Sequence, residues 1–193
     1  MLHLAAIAAL LPVLVVYADT PFRTFGQKFV VHRWAERLVL LSMELNLLLL
    51  WALAKLFLGR DADLGPGDWD TGLALAGVSL AWAGAALAVW AKLTLGRWFS
   101  ASFGVKPDHE LITTGPYAIV RHPMYSALLT MGVGFALAAN SAVTLGVAVL
   151  FAVPFTLHTY IEEQLFVKHF GDEWREYAAR VPRLVPGWGA QRK

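Results

Sequence analysis

The sequence predicts an all-α integral membrane protein of about five transmembrane helices, ending in a helical hairpin and a cytoplasmic interfacial helix. Of its 193 residues, 58% are hydrophobic and only 16% are charged. A soluble domain of this size would be left with too little polar surface, so lipid has to cover much of the chain. The second observation is that the apolar residues form five separate stretches along the chain.

The apolar stretches occupy residues 2–17, 38–58, 73–95, 126–139 and 142–157. Only the second and third reach the roughly 20 residues that span a bilayer unaided. The fourth and fifth are separated by Asn140 and Ser141 alone, which predicts a tight helical hairpin. The first is not interpreted as a cleaved signal, because no Lys or Arg precedes it.

Residues within two of these stretches indicate contacts between helices. Gly77, Ala81 and Ala85 recur every four residues, and small residues at this spacing let helix backbones approach closely. Glu44 and Asn46 are polar groups at membrane depth, which are costly there unless they are partnered. For these two the sequence allows a hydrogen bond between helices or a place in a substrate cavity.

The distribution of basic residues predicts the orientation in the membrane. Fourteen of the sixteen Lys and Arg residues lie between stretches one and two, between three and four, or after five. Lys and Arg accumulate on the cytoplasmic side of membrane proteins. We therefore expect the N-terminus outside and the C-terminus in the cytoplasm. The small net charge of +2 follows from this bias and gives no indication of nucleic-acid binding.

A short amphipathic helix is predicted after the fifth stretch. Trp174, Tyr177, Ala178 and Val181 recur at helical spacing, which places them on one side of that helix, and Pro182 ends it. The helix suits the membrane interface, where aromatic rings settle.

Charged residues concentrate at one end of the predicted hairpin. Arg121 and His122 precede its first helix, which we expect to begin at Pro123, and Glu162 and Glu163 lie at the end of its second. Since the turn between the two helices has only two residues, these ends return close together. Taken alone, the four residues could be ion pairs that merely cap helix ends.

The order of motifs in this half of the chain resembles isoprenylcysteine carboxyl methyltransferases and the related phospholipid methyltransferases. The resemblance covers residues 96–188. It rests on Gly115-Pro116-Tyr117, Arg121-His122-Pro123, Tyr125, Glu162-Glu163, Leu165, Phe170-Gly171, Tyr177, Val181-Pro182-Arg183 and Pro186. The chain differs from the usual pattern at Ala127, where glycine is common, and at His158 and Tyr160, where many bacterial relatives have arginine.

The resemblance implies an S-adenosylmethionine pocket at the cytoplasmic membrane surface. We accordingly expect a single membrane domain, 1–193, made of N-terminal spans (1–95) and a catalytic half (96–193). The cofactor-binding residues that it implies are His109, Leu111, Gly115, Tyr117, Arg121, His122, Pro123, Tyr125, Glu162 and Arg183. The catalytic candidates are Arg121, Glu163 and His158, and no metal is expected.

The expected reaction is methyl transfer to a lipophilic small molecule or lipid, most simply the carboxylate of an isoprenylcysteine-like molecule. A carboxylate is already ionised, whereas an amine acceptor would first lose a proton to a base such as Glu163 or His158. Three alternatives stay open: a phospholipid amine N-methyltransferase, an NADPH-dependent membrane sterol or enone reductase, and a non-catalytic membrane scaffold. The sequence gives no indication of the oligomeric state.

Overall fold

A computed structural model describes residues 5, 8–17, 69–99, 105, 108–140 and 142–188. The helices in these ranges are α1 (Leu10–Tyr17), α2 (Trp69–Leu95), α3 (Pro123–Ala138), α4 (Ala142–Phe170) and α5 (Asp172–Arg180), with 3-10 turns at Gly96–Trp98 and Gly115–Ala118. The prediction of an all-α chain is confirmed for this part of the molecule. The predicted span 38–58, with Glu44 and Asn46, lies outside the described residues.

Helix α2 is long enough and apolar enough to cross a membrane. Its 27 residues give it a length of about 40 Å, which exceeds the roughly 30 Å of a bilayer's hydrocarbon core. Among the described residues, the segment Thr71–Trp98 is the one that is long and apolar enough to cross a membrane. The 16-residue helix α3 is apolar but shorter. The number of five spans stays a prediction.

Helices α2 and α3 pack with their backbones in close contact. A Cβ atom added to Gly77 would lie 2.7 Å from the carbonyl oxygen of Gly134, and one added to Gly134 would lie 2.7 Å from that of Gly77. Ala81 and Ala85 are fully buried in the same interface. The packing face predicted from the spacing of small residues is therefore confirmed, with α3 as its partner.

Helices α3 and α4 form the predicted hairpin. Helix α3 begins at Pro123, whose missing N–H would have had no partner in the first turn of a helix. In the turn, Asn140 has a φ of 50°, a left-handed conformation that asparagine tolerates better than most residues. Helix α4 then continues without interruption to Phe170, where Gly171 ends it with a φ of 58°. The end of the apolar stretch at residue 157 is thus not the end of the helix.

Helix α5 folds back onto the end of α4. Trp174 and Tyr177 are each 3% exposed, as expected for the apolar side of the predicted amphipathic helix. The Trp174 ring contacts that of Phe166, with 4.7 Å between their centroids, and the Tyr177 hydroxyl donates to the Tyr117 carbonyl oxygen at 2.6 Å. The predicted apolar side of α5 therefore packs against the protein, which leaves Trp188 as the exposed aromatic residue beyond the helix.

Candidate active site

The hairpin brings the predicted charged residues together. His122 lies between two carboxylates: its Nδ1 is 3.3 Å from Oε2 of Glu162, and its Nε2 is 3.1 Å from Oε1 of Glu163. The Arg121 Nε donates to the same Glu163 oxygen at 3.0 Å. Arg183, from the segment after α5, completes the group. These five side chains form the charged cluster.

Glu163 is at the centre of the charged cluster and is only 8% exposed. It accepts hydrogen bonds from Arg121, from His122 and from Arg183, whose Nε and Nη2 lie 2.9 Å and 2.5 Å from its two oxygens. Burial alone would raise the pKa of this carboxyl. The hydrogen bonds from His122 and Arg183 and the charge of Arg121 outweigh burial and lower its pKa to about 2. Glu163 is therefore ionised and fully hydrogen-bonded at neutral pH.

His122 is buried directly before the first residue of α3. Burial favours its neutral form and would lower its pKa. Its hydrogen bonds with Glu162 and Glu163, and the charges of both carboxylates, outweigh burial and raise the pKa. An imidazole donates from both nitrogens only when it is protonated, which is the form that two flanking carboxylates favour.

Arg121 connects the charged cluster to the end of α5. Its Nη1 donates to the carbonyl oxygens of Ala178 and, at 2.9 Å, of Val181. Carbonyls in the last turn of a helix have no partner within the helix, and a cation placed there also interacts favourably with the helix dipole. Arg121 is thus engaged by the protein itself.

Residues 181–184 form a short tail segment that lies along the start of α3. The backbone N–H of Arg121 donates to the carbonyl of Pro182 at 2.8 Å, and that of His122 to the carbonyl of Arg183 at 3.0 Å. The Ser126 hydroxyl donates to the carbonyl of Leu184 at 2.6 Å. These bonds fix the position from which Arg183 reaches the charged cluster.

Arg183 and Glu162 are the members of the charged cluster that solvent reaches most easily. Their side chains are 23% and 22% exposed, against 10% or less for the other three. The Arg183 guanidinium lies 3.6 Å from the centroid of the Tyr160 ring, which is itself exposed. Hydrogen bonding to Glu163 raises the pKa of Arg183 despite its partial burial, so it stays a cation.

Two further predicted residues lie beside Glu162. The Tyr125 ring is 5.9 Å from that of His122 and 6.5 Å from that of the buried His158, which lies one helical turn before Glu162 on α4. Pro123, which was also predicted, is buried as the first residue of α3.

The remaining predicted residues belong to a segment that leads up to the charged cluster. The His109 ring stacks on Trp98 at a centroid distance of 5.1 Å and meets the edge of Phe170 at 5.8 Å. Gly115 has a φ of 60°, and a Cβ there would lie 3.0 Å from the Thr94 hydroxyl oxygen of α2. Leu111 is half-buried and Tyr117 is buried in the same segment. Their described contacts support the packing of this segment.

The sequence prediction missed the aromatic surroundings of the charged cluster. The rings of Phe166 and Trp174 both lie 6.4 Å from His122. Phe166 follows Glu162 by four residues, so it lies one turn along the same face of α4. This signal was readable once α4 was known to continue beyond residue 157. Tyr160, which stacks under Arg183, had been noted only as a departure from a pattern.

Residues 73–173, just over half of the chain, match the phospholipid methyltransferase family. The chain is 35% identical over 102 residues to protein-S-isoprenylcysteine O-methyltransferase B of Arabidopsis thaliana, covering half of each chain. It is 30% identical over 140 residues to the cobalt-zinc-cadmium resistance protein CzcN of Cupriavidus metallidurans, covering 70% of this chain and 62% of that one. It is 31% identical over 126 residues to the nickel-cobalt-cadmium resistance protein NccN of Alcaligenes xylosoxydans xylosoxydans, covering 63% of this chain and 56% of that one. The chain thus spans less than two thirds of each of these relatives.

Proposed function

Because this chain belongs to the phospholipid methyltransferase family, we propose that it is an enzyme that transfers a methyl group from S-adenosylmethionine to a lipophilic acceptor. The observation that carries the proposal is the charged cluster, in which a carboxylate and a guanidinium remain partly accessible beside exposed aromatic surface. Membership of this family favours a methyltransferase over the NADPH-dependent reductase. A structural staple alone would have no need of accessible charges of both signs.

The chemistry of the exposed side chains fits this cofactor. Glu162 would bind the α-ammonium group, and Arg183 would bind the α-carboxylate, since both retain exposure while contacting the buried members of the charged cluster. Tyr160 and Tyr125 offer ring surface for the adenine. When bound, the cofactor supplies an electrophilic methyl group on a sulfonium.

We propose different roles for three of the predicted residues, on the basis of their contacts. Arg121 and His122 hydrogen-bond within the protein, so they would shape the pocket rather than contact the cofactor. Glu163, with a pKa of about 2, is a weak base at neutral pH, and its oxygens already accept several hydrogen bonds. His158 is left as the candidate base for an acceptor that has to lose a proton.

These residues would accelerate transfer chiefly by positioning. An in-line displacement needs donor and acceptor held in one orientation and shielded from water. A charged cluster whose buried members each make two or more hydrogen bonds supplies a rigid support for that orientation. Phe166 and Trp174 provide an apolar wall next to it.

The acceptor that we propose is the carboxylate of an isoprenylcysteine-like molecule, with an amine lipid as the alternative. A carboxylate needs no base, which agrees with the engagement of Glu163, and the Arabidopsis relative is named for isoprenylcysteine. Purified protein with labelled S-adenosylmethionine would be offered N-acetyl-farnesylcysteine and phosphatidylethanolamine in parallel. We expect label in a product that mild alkali hydrolyses, as it does a methyl ester. Alkali-stable label with phosphatidylethanolamine alone would replace the carboxylate by an amine.

The cofactor is tested separately by calorimetry on detergent-purified protein. We expect S-adenosylhomocysteine to bind and NADPH not to bind, because the accessible charges of the cluster are one carboxylate and one guanidinium, which suit a zwitterion. Binding of NADPH alone would support the reductase instead.

We also propose that the chain crosses the membrane several times, with the N-terminus outside and the site on the cytoplasmic side, as the basic residues indicate. Cysteines introduced at Asp63 and Gln191 would be exposed to an impermeant maleimide on intact cells, which is possible because the chain has no cysteine of its own. We expect labelling at position 63 only. Labelling at position 191 only would reverse the orientation and place the site on the outer side.

A further inference from the structure

The carboxylate at the centre of the charged cluster binds one of the two accessible charged groups, Arg183, directly, and is linked to the other, Glu162, through His122. Glu163 binds Arg183 through two hydrogen bonds, and it binds His122, whose other nitrogen faces Glu162. The positions of the accessible cation and the accessible carboxylate therefore both depend on one buried side chain that the cofactor would not touch.

Glu163 also joins parts of the chain that are far apart in sequence. Arg121 and His122 precede it by 42 and 41 residues, and Arg183 follows it by 20. The tail segment 181–184 is otherwise held by the backbone bonds to Arg121 and His122 and by the Ser126 hydroxyl. Removing the charge of Glu163 would leave three buried or half-buried cationic groups without their common partner, which is costly in a site of low dielectric.

We propose that Glu163 is a positioning residue for the methyl transfer, and that it fixes the tail segment and the orientation of Glu162 so that the cofactor site is assembled before the cofactor binds. This inference rests on the proposed function. Glu163 contributes no proton transfer and no contact with the reacting atoms. Its loss should therefore weaken cofactor binding more than it slows the chemical step on enzyme that has bound the cofactor.

The test compares Glu163→Gln and Glu163→Asp with Glu176→Gln. Gln keeps the shape and removes the charge, Asp keeps the charge on a shorter side chain, and Glu176 is an exposed acidic residue of α5 that serves as a matched control. For each purified protein, KM for S-adenosylmethionine and kcat would be measured with the acceptor that the parallel assay identifies. Limited digestion with trypsin, followed by mass spectrometry, would report two cleavages. One is after Arg180, directly before the tail segment, and the other is after Arg183, within it.

We expect Glu163→Gln to raise KM for the cofactor by about 10- to 100-fold, the range for lost hydrogen bonds between charged groups, with kcat lowered by about threefold or less. Glu163→Asp should lie between this variant and the wild type. Cleavage within the tail segment should be faster in the same order, and Glu176→Gln should match the wild type in every measurement. If Glu163→Gln does not accumulate as folded protein, the test uses Glu163→Asp, whose KM for the cofactor and cleavage rate should both exceed those of the wild type.

Two outcomes would overturn the inference. A KM and a cleavage rate in Glu163→Gln and Glu163→Asp equal to those of Glu176→Gln would show that the tail segment and the cofactor site do not depend on Glu163. An unchanged KM with kcat abolished would make Glu163 a catalytic residue. Failure of the proposed function would look different, because wild-type protein would then neither transfer methyl groups nor bind S-adenosylhomocysteine, whatever the variants did.

Discussion

Glu162→Gln is the substitution that tests the proposed site most directly. It removes the negative charge of the accessible carboxylate and keeps the size of the side chain. The rest of the charged cluster should persist, because His122 retains its contact with Glu163 at 3.1 Å, and both arginines bind Glu163 rather than Glu162. The variant should therefore fold and lose a ligand contact specifically.

The expected loss follows from the kind of contact that is removed. A hydrogen bond between charged groups contributes about 1.5 to 3 kcal/mol. The Glu162 side chain is 22% exposed, so screening by solvent is limited. Binding of S-adenosylhomocysteine should thus weaken by about 10- to 150-fold, since each 1.4 kcal/mol is about a factor of ten in affinity.

The assay is isothermal calorimetry on detergent-purified protein, with the unfolding temperature recorded alongside. S-adenosylhomocysteine lacks the sulfonium charge, so a loss measured with it reports the α-ammonium contact. An additional loss with S-adenosylmethionine would report the sulfonium.

Glu110→Gln is the matched control for this substitution. Glu110 pairs with Arg97 at 3.3 Å, but the two side chains are 69% and 74% exposed, and such pairs contribute little. Its affinity should equal that of the wild type. Glu162→Gln protein that is folded and binds the ligand within twofold of the wild type would refute the reasoning and remove Glu162 from the site.

Two further predictions concern stability. Gly134→Ala should destabilise the chain by about 1 to 3 kcal/mol, because its Cβ would lie 2.7 Å from a backbone oxygen of α2; thermal unfolding would measure this, and Gly146→Ala, whose Cβ meets nothing within 4 Å, should have no such effect. The unfolding temperature should also fall both at low pH and at high pH. Ionised Glu163 contributes stability above a carboxyl's ordinary pKa of 4.5 that is lost as pH falls towards 2, and protonated His122 contributes stability below 6.5 that is lost as pH rises through its raised pKa. An unfolding temperature that stays constant from pH 4.5 down to 2 and above 6.5 would contradict the assignment of charges.

The meeting of the hairpin's ends was predictable because it follows from a short turn. A turn that short returns the chain directly, so residues at the start of α3 and on α4 had to approach each other. The distances of His122 from Glu162 and Glu163 confirm this. The small residues of α2 were equally informative, since their spacing by itself specifies a close helix contact.

The extent of α4 was not predictable from the same signals. The sequence shows where apolar residues stop, at residue 157, but a helix continues through polar residues until something ends it. Here that residue is Gly171, whose combination of φ 58° and ψ −123° is favourable only for glycine. Hydrophobicity marks the boundary with lipid, whereas backbone conformation marks the end of the helix.

The contacts that hold the tail segment were not predictable from the sequence, for a different reason. Its bonds to Arg121 and His122 are made by backbone atoms, which carry no sequence pattern. The sequence predicts Arg121 as a ligand-binding residue but gives no sign of its hydrogen bonds to carbonyls at the end of α5. Such a partner, 57 residues away in the chain, becomes visible only when the fold is known.

The partition of exposure within the charged cluster gives the strongest reason to regard it as a binding site. Removing a charge from water is costly, and the cost is offset only where the charge finds several partners. Arg121, His122 and Glu163 have those partners and are buried. Glu162 and Arg183 are held from one side and remain accessible from the other. Their accessibility leaves one carboxylate and one guanidinium able to bind the oppositely charged groups of a zwitterionic ligand, as the proposed function requires.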